Sequence, residues 1–272
     1  MMPVLRPPLR AVLLSAGLIV VAACAVVPET PPPGLPGRPE VFLDRLEAED
    51  GAVKTVRALA NLRYEGPAGK GSVTQAIVAA LPDRVRLETL SPLGTALLLL
   101  TIRGDALTVY APPRHEYGTG RATRETLGRL VRVPIPPGPL LRLLVGLPPL
   151  PIRPGDPRVT LTVEAAAIRV ESVDGPYWQR VWSGPDGMTP VRGELGEAGA
   201  LLLKFEFGDR RPLSGAVFPF AVSLDEMAAG AHVALQYETV RLNEPVEAAL
   251  FALPPPADGK TRIIDLGAGP AP

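Results

Sequence analysis

The sequence predicts a mainly β domain of the α+β class, an antiparallel meander of about a dozen strands interrupted once by an apolar helical segment. Three observations carry that prediction. Apolar and polar residues alternate with period two through one short segment after another. Turn pairs such as Pro82-Asp83, Gly104-Asp105 and Gly175-Pro176 separate these segments, and connections that short join antiparallel strands, because parallel pairs need long crossovers. Helical spacing of apolar residues is confined to the start of the domain and to its middle.

Residues 1–23 read as a secretory signal: a basic stretch with Arg6 and Arg10, an apolar run from Ala11 to Val21, then small residues. The run is shorter than the ~20 apolar residues that a membrane span needs. Val21-Ala22-Ala23-Cys24 resembles the lipobox of bacterial lipoproteins, which implies that Cys24 is lipidated and becomes the new N-terminus. A signal anchor with an incidental cysteine is the alternative. Against it, Cys24 is the one cysteine of the chain, so no disulfide within the chain gives that thiol a structural role. Lipidation of this class leaves three acyl chains, and two or more anchor firmly at ~0.8 kcal/mol per buried methylene. Ala25, rather than Asp, follows the cysteine, which in well-studied Gram-negative sorting implies the periplasmic face of the outer membrane. Residues 24–38 then form a linker. Six prolines between Pro28 and Pro39 make it a semi-rigid spacer that holds the folded part off the bilayer.

The folded domain is expected over residues 39–266, with a disordered tail at 267–272. A first helix is predicted from Pro39 to about Asp50, with Val41, Phe42 and Leu46 at helical spacing and Gly51 ending it. Strands follow at Val56–Tyr64, Ser72–Leu81, Arg84–Leu90, Thr95–Arg103 and Ala106–Ala111. In the middle, Thr123 suits the cap of a helix containing Leu127, Leu130 and Val131, which stops before Pro134. A second short helix runs from Pro139 through Val145, closed by Gly146. Its only charge is Arg142, so it must be covered on most faces or cover something itself. Strands resume at Val159–Glu164, Ala167–Val173, Tyr177–Ser183, Met188–Leu195, Leu201–Phe207, Val217–Leu224 and His232–Leu242.

Composition excludes several functions. The first 23 residues carry two of the 28 basic residues and none of the 28 acidic ones, so the mature chain is near neutral. A nucleic-acid partner would want a basic face. The two histidines, His115 and His232, lie far apart, and no cluster of His, Cys and acidic residues suggests a metal. Neither a G-x-S-x-G elbow nor a P-loop is present. No catalytic residue, metal or cofactor is expected.

Three segments resemble the LolA and LolB family of periplasmic lipoprotein carriers and their outer-membrane receptor, and are most like LolB. They are Leu90-Ser-Pro-Leu-Gly94; Tyr117-Gly-Thr-Gly with Leu127-Gly-Arg-Leu, Val133-Pro-Ile and Leu143-Leu-Val-Gly-Leu147; and Leu242-Asn-Glu-Pro245 with Leu250-Phe-Ala-Leu-Pro254. The likeness spans roughly residues 40–266, and the order of the motifs carries it more than any one of them. The chain departs from the family in being longer, in having only 5% aromatics, and in its Pro-rich inserts around Pro134–Pro157.

The resemblance implies an antiparallel unclosed half-barrel of 11–12 strands under short helices, whose concave apolar face binds acyl chains of lipoproteins for insertion into the outer membrane. It further implies a LolA-like periplasmic carrier as a partner and a monomer as the working form. Lipid contacts are expected from Leu140, Leu141 and Leu144 of the lid and from inward strand residues such as Leu97 and Leu99. A packed core without a cavity would use the same residues, and the sequence leaves both open. Ser91-Pro92-Leu93-Gly94 fits a type I turn, which puts Leu93 at a hairpin tip. In the receptor the matching leucine protrudes and helps deliver cargo, so Pro92, Leu93 and Gly94 are the expected membrane-insertion loop. A leucine folded back over the sheet is the alternative. Arg121, Arg124, Arg129 and Arg132 flank the first lid helix, either to meet lipid phosphates or as a solvated face.

Overall fold

A computed structural model describes residues 39–67, 69–164 and 167–267. Cys24, the signal, the linker and most of the tail lie outside the described residues. Fourteen strands form one sheet that does not close, in the order β14-β6-β5-β4-β3-β2-β1-β13-β12-β11-β10-β9-β8-β7. This is the unclosed, mainly β architecture that the resemblance implies, with fourteen strands where 11–12 are expected, and with short helices on its inner face. Helix α1 spans Glu40–Ala52 and buries Phe42 and Leu46. The helix runs through Gly51 and ends at Ala52, two residues later than its glycine suggests.

The first meander is β1 (Thr55–Gly66), β2 (Gly69–Ala80), β3 (Arg84–Leu90), β4 (Ala96–Arg103), β5 (Ala106–Ala111) and β6 (Glu116–Arg121). The second is β7 (Val159–Val163), β8 (Ile168–Asp174), β9 (Tyr177–Ser183), β10 (Pro190–Glu197), β11 (Ala200–Leu213), β12 (Ala216–Glu226) and β13 (Ala231–Leu242). Strands β1 and β13 pair antiparallel, from Val56 opposite Leu242 to Glu65 opposite His232, and join the two meanders into one surface. Period two puts Val85 and Leu87 of β3, Leu107 and Val109 of β5, Val170 of β8 and Val181 of β9 in one continuous core.

Two strands escaped the sequence reading, β6 and β14 (Arg262–Asp265), and they pair with each other in parallel. Gly118 and Gly120 interrupt the strand pattern of Tyr117–Gly120, so alternation does not mark it. In the sheet those glycines make room: a Cβ on Gly118 would stand 2.8 Å from Leu266 Cδ2, and one on Gly120 would stand 2.9 Å from Leu266 Cβ. Leu266 is buried there, and its N–H donates to Thr119 O at 2.9 Å.

Between the meanders lie α2 (Arg124–Val131) and α3 (Pro137–Leu144). Thr123 caps α2 as its sequence suggested, its hydroxyl accepting from the Thr126 N–H at 3.2 Å. Helix α3 starts two residues before Pro139, because a proline suits the first helical turn. After α3 the chain turns at Gly146, whose φ is +77° and whose Cβ would meet Pro219 Cδ at 2.5 Å, so only glycine fits. The Pro-rich segment that follows, through Ile152, is buried almost throughout.

Candidate binding cavity

The inner face of the sheet divides into a filled half and a hollow half. Over β8 and β9 it is filled by the segment 146–152. Gln179 of β9 is fully buried there and holds the main chain of Leu150 on both sides. Its Oε1 accepts from Leu150 N–H at 2.9 Å, and its Nε2 donates to Leu150 O at 2.7 Å and to Ser172 Oγ at 2.9 Å. The amide satisfies two peptide groups that would otherwise be stranded in the core.

Over β1–β4, β12 and β13 the same face is hollow. A cavity of about 200 Å³ opens there. Its floor includes Leu62, Val73, Leu87, Leu98, Leu224 and Val233, and its roof is Leu140 and Leu144 of α3 with Leu130–Val133 at the end of α2. Two polar groups of the lining are spent on each other: Thr89 Oγ1 donates to Gln75 Oε1 at 2.9 Å. Apolar walls with a few placed polar groups suit the tail of an amphiphile. Larger recesses on the other face of the sheet are rimmed by charges such as Arg63, Arg192 and Glu206, or Glu171, Arg180 and Glu194.

The roof is strapped down on several sides. The phenol of Tyr237 on β13, fully buried, donates to Leu144 O at 2.6 Å, and burial pushes its pKa well up. Arg142 of α3 donates to Pro148 O at 2.7 Å and pairs with Asp50 of α1 at 2.5 Å. Burial lowers its pKa while Asp50 opposes that shift. Arg124 of α2 ties to Glu197 of β10 and, at 2.9 Å, to Pro134 O; Arg129 donates to Leu266 O at 2.7 Å. Arg121 pairs with Asp105. Of the four arginines flanking α2, three are therefore engaged with protein groups. Arg132 is the one that lines the cavity, and it makes no hydrogen bond or ion pair to another described residue.

The sequence-predicted contacts fall into three groups. Leu140 and Leu144 do line the cavity. Leu141 is buried in the core but is not in the lining. Leu97 and Leu99 are misplaced. In β4 the residues beside inward-facing Thr89 and Leu87 are Leu98 and Leu100, so Leu98 lines the cavity, Leu100 is in the core and Leu97 is exposed on the opposite face. Four consecutive leucines carry no alternation, so their sequence could not set the phase.

The hairpin tip stands as expected. Gly94 N–H donates to Ser91 O at 2.8 Å, closing the turn, and Ser91 Oγ accepts from the Leu93 and Thr95 N–H groups at 3.3 and 3.1 Å. Gly94 adopts φ +78°. Leu93 is 93% exposed, and so is not folded back over the sheet. The lining residues Tyr64, Val73, Gln75, Thr89 and Leu98 lie in the parts of their strands nearest this tip and the β1–β2 turn. The cavity and Leu93 thus share one end of the sheet.

His115 sits at φ +51° after a turn of 3₁₀ helix, 3.7 Å from Asp258, and His232 pairs with Asp225 at 2.7 Å. Among the described residues, no group of three or more His, Cys, Asp or Glu could hold a metal, and no helix is long and apolar enough to cross a membrane.

No family model matches the chain, and no curated protein matches it in sequence. Solved structures do match in shape. A LolA superfamily protein of Nitrosomonas europaea superposes with a TM-score of 0.52 at 12% identity, covering 78% of this chain and 97% of its own. A domain described as an outer membrane lipoprotein-sorting protein, from Vibrio parahaemolyticus, gives 0.53 at 13% identity, covering 79% and 97%. A DUF1329 family protein of Desulfovibrio piger gives 0.53 at 11% identity, covering 78% and 96%. The chain has a LolA-like fold.

Proposed function

We propose that this protein is a non-enzymatic, lipid-anchored protein of the outer membrane's periplasmic face that takes acyl chains of lipoproteins into its cavity and helps insert them into that membrane. The observation that carries the reading is the placement of an apolar cavity and a fully projecting leucine at the same end of an open sheet. Anchoring would come from Cys24, with a spacer of some 15 residues allowing a reach of roughly 50 Å at ~3.3 Å per residue. Tail burial would be favoured at ~25 cal/mol per Å² removed from water. Pro92, Leu93 and Gly94 would enter the bilayer, where Leu93 recovers the ~2 kcal/mol that it forgoes in water. A LolA-like periplasmic carrier would supply cargo to the monomer. The similarity to a protein described as sorting outer membrane lipoproteins supports this reading.

The test is complementation of cells depleted of their lipoprotein receptor. The wild-type chain should restore lipoprotein sorting, while Leu93→Glu should accumulate to the same level and fail. A Leu93→Glu variant that sorts as well as wild type would refute the insertion role.

A second reading, a carrier of some other amphiphile, is favoured by one observation. Half of the inner face is already occupied by 146–152, which leaves far less room than three acyl chains need.

A further inference from the structure

We propose that the hollow half of the sheet takes one single-chain amphiphile with an acidic head group, its tail under Leu140 and Leu144 and its head on the Arg132 guanidinium. This rests on the second reading above, a carrier of another amphiphile, and specifies what the cavity holds.

Size is the first ground. The cavity of about 200 Å³ is below the roughly 300–1,000 Å³ of ordinary ligand sites. It accommodates part of one alkyl chain, and a lipoprotein brings three. The second ground is that the room is fixed. Enlarging it toward β8 and β9 would pull Leu150 off the Gln179 amide and strand both of its peptide groups in the core. Lifting α3 would break the Tyr237 bond to Leu144 and separate Arg142 from Asp50. Lifting α2 would cost the Arg124 contacts to Glu197 and Pro134.

The third ground is charge. Arg132 is the charged residue of the lining, it is exposed, and no described residue engages its guanidinium, while Arg124 and Arg129 of α2 are spent on protein partners. It sits at the end of α2 with φ +62°, next to Val131 and Val133, which are themselves part of the lining. A guanidinium presents a planar fork of donors that suits a carboxylate or a phosphate. An apolar slot beside a cation that no described residue pairs matches a fatty-acid carboxylate or the phosphate of a lysophospholipid, two sources of one chemistry.

The experiment is displacement of a fluorescent alkyl probe from the delipidated full chain by four competitors: palmitate, palmitoyl lysophosphatidate, dipalmitoyl phosphatidate and a triacylated lipopeptide. Either or both of the single-chain acids should displace the probe at one per chain, and their order identifies the head group. The two-chain and three-chain competitors should be at least tenfold weaker. Arg132→Gln should weaken the single-chain acids by roughly tenfold or more, the worth of one charge-assisted contact, with unchanged melting, and Arg132→Lys should recover part of it. Leu98→Trp, which fills the slot, should abolish displacement. A triacylated lipopeptide that competes as well as palmitate would overturn the single-chain inference while leaving the acyl-chain cavity standing. Unchanged affinity in Arg132→Gln would overturn the head-group assignment. Probe binding that is absent, or indifferent to Leu98→Trp, would overturn the cavity reading itself.

Discussion

The two halves of the inner face are built from the same strand pattern and end in opposite states. Over β8 and β9, alternation buries Ile168, Val170 and Val181, and the Pro-rich segment 146–152 completes the packing with Gln179 as its clamp. Over β1–β4 the same alternation supplies Leu62, Val73, Leu87 and Leu98, but no described residue fills the space above them. The strands do not decide which half is hollow; the connection laid across them does. A prolyl segment gives up little conformational entropy on ordering, and with few N–H groups it needs few partners, so it makes an inexpensive filler. The chain has sacrificed half of its concavity to stability and kept the half that lies beside Leu93.

That contrast can be attacked most strongly at the clamp. Gln179→Ala leaves Leu150 N–H and O buried and unpaired at ~1–3 kcal/mol each, so unfolding by urea should show a loss of roughly 2–6 kcal/mol. If the loss is small, the segment is not held as described and the filled half could open. Matched leucine truncations sharpen the same point. Leu150→Ala, buried within the segment that fills that half, should cost roughly 2–5 kcal/mol. Leu98→Ala borders space that is already empty, so it should cost less than about 1.5 kcal/mol in the same titration. Equal losses would mean that the hollow half is packed after all.

A smaller effect is expected at the boundary between the halves. Tyr237→Phe removes one buried donor from Leu144 O and should cost about 1–2 kcal/mol, with faster amide exchange along α3 as its signature. Smallest of all is Leu93→Glu. At a tip exposed to 93%, stability should move by no more than ~0.5 kcal/mol in thermal melting, which leaves any loss of delivery attributable to the membrane contact.

How much of this was legible in the sequence follows from where local pattern and tertiary structure agree. Arg84–Leu90, Ala106–Ala111 and Tyr177–Ser183 have clean alternation and sharp turns, and their bounds are those of β3, β5 and β9. The cap at Thr123 and the turn at Ser91–Gly94 are local devices whose chemistry is complete within four residues. Strands β6 and β14 were hidden because each exists for the other: the glycines of β6 matter only once Leu266 is beside them. The cavity was half legible. Leu140 and Leu144 follow from an apolar helix that must cover something, but the phase of Leu97–Leu100 needed the partner register on β3. The role of the Pro-rich insert was illegible, since burial of a polar-free loop depends on Gln179, 29 residues further on.

The central claim is that one half of the inner face is a slot for an acyl chain and the other half is not. Mass spectrometry of lipid extracted from the full-length protein, purified from membranes in gentle detergent, tests it most directly. Wild type should carry about one non-covalent chain per molecule beyond the acyl groups on Cys24. Leu98→Trp should carry none, while Leu97→Trp, on the opposite face of β4, should carry as much as wild type. The same lipid content in all three proteins, or none in any of them, would contradict the account.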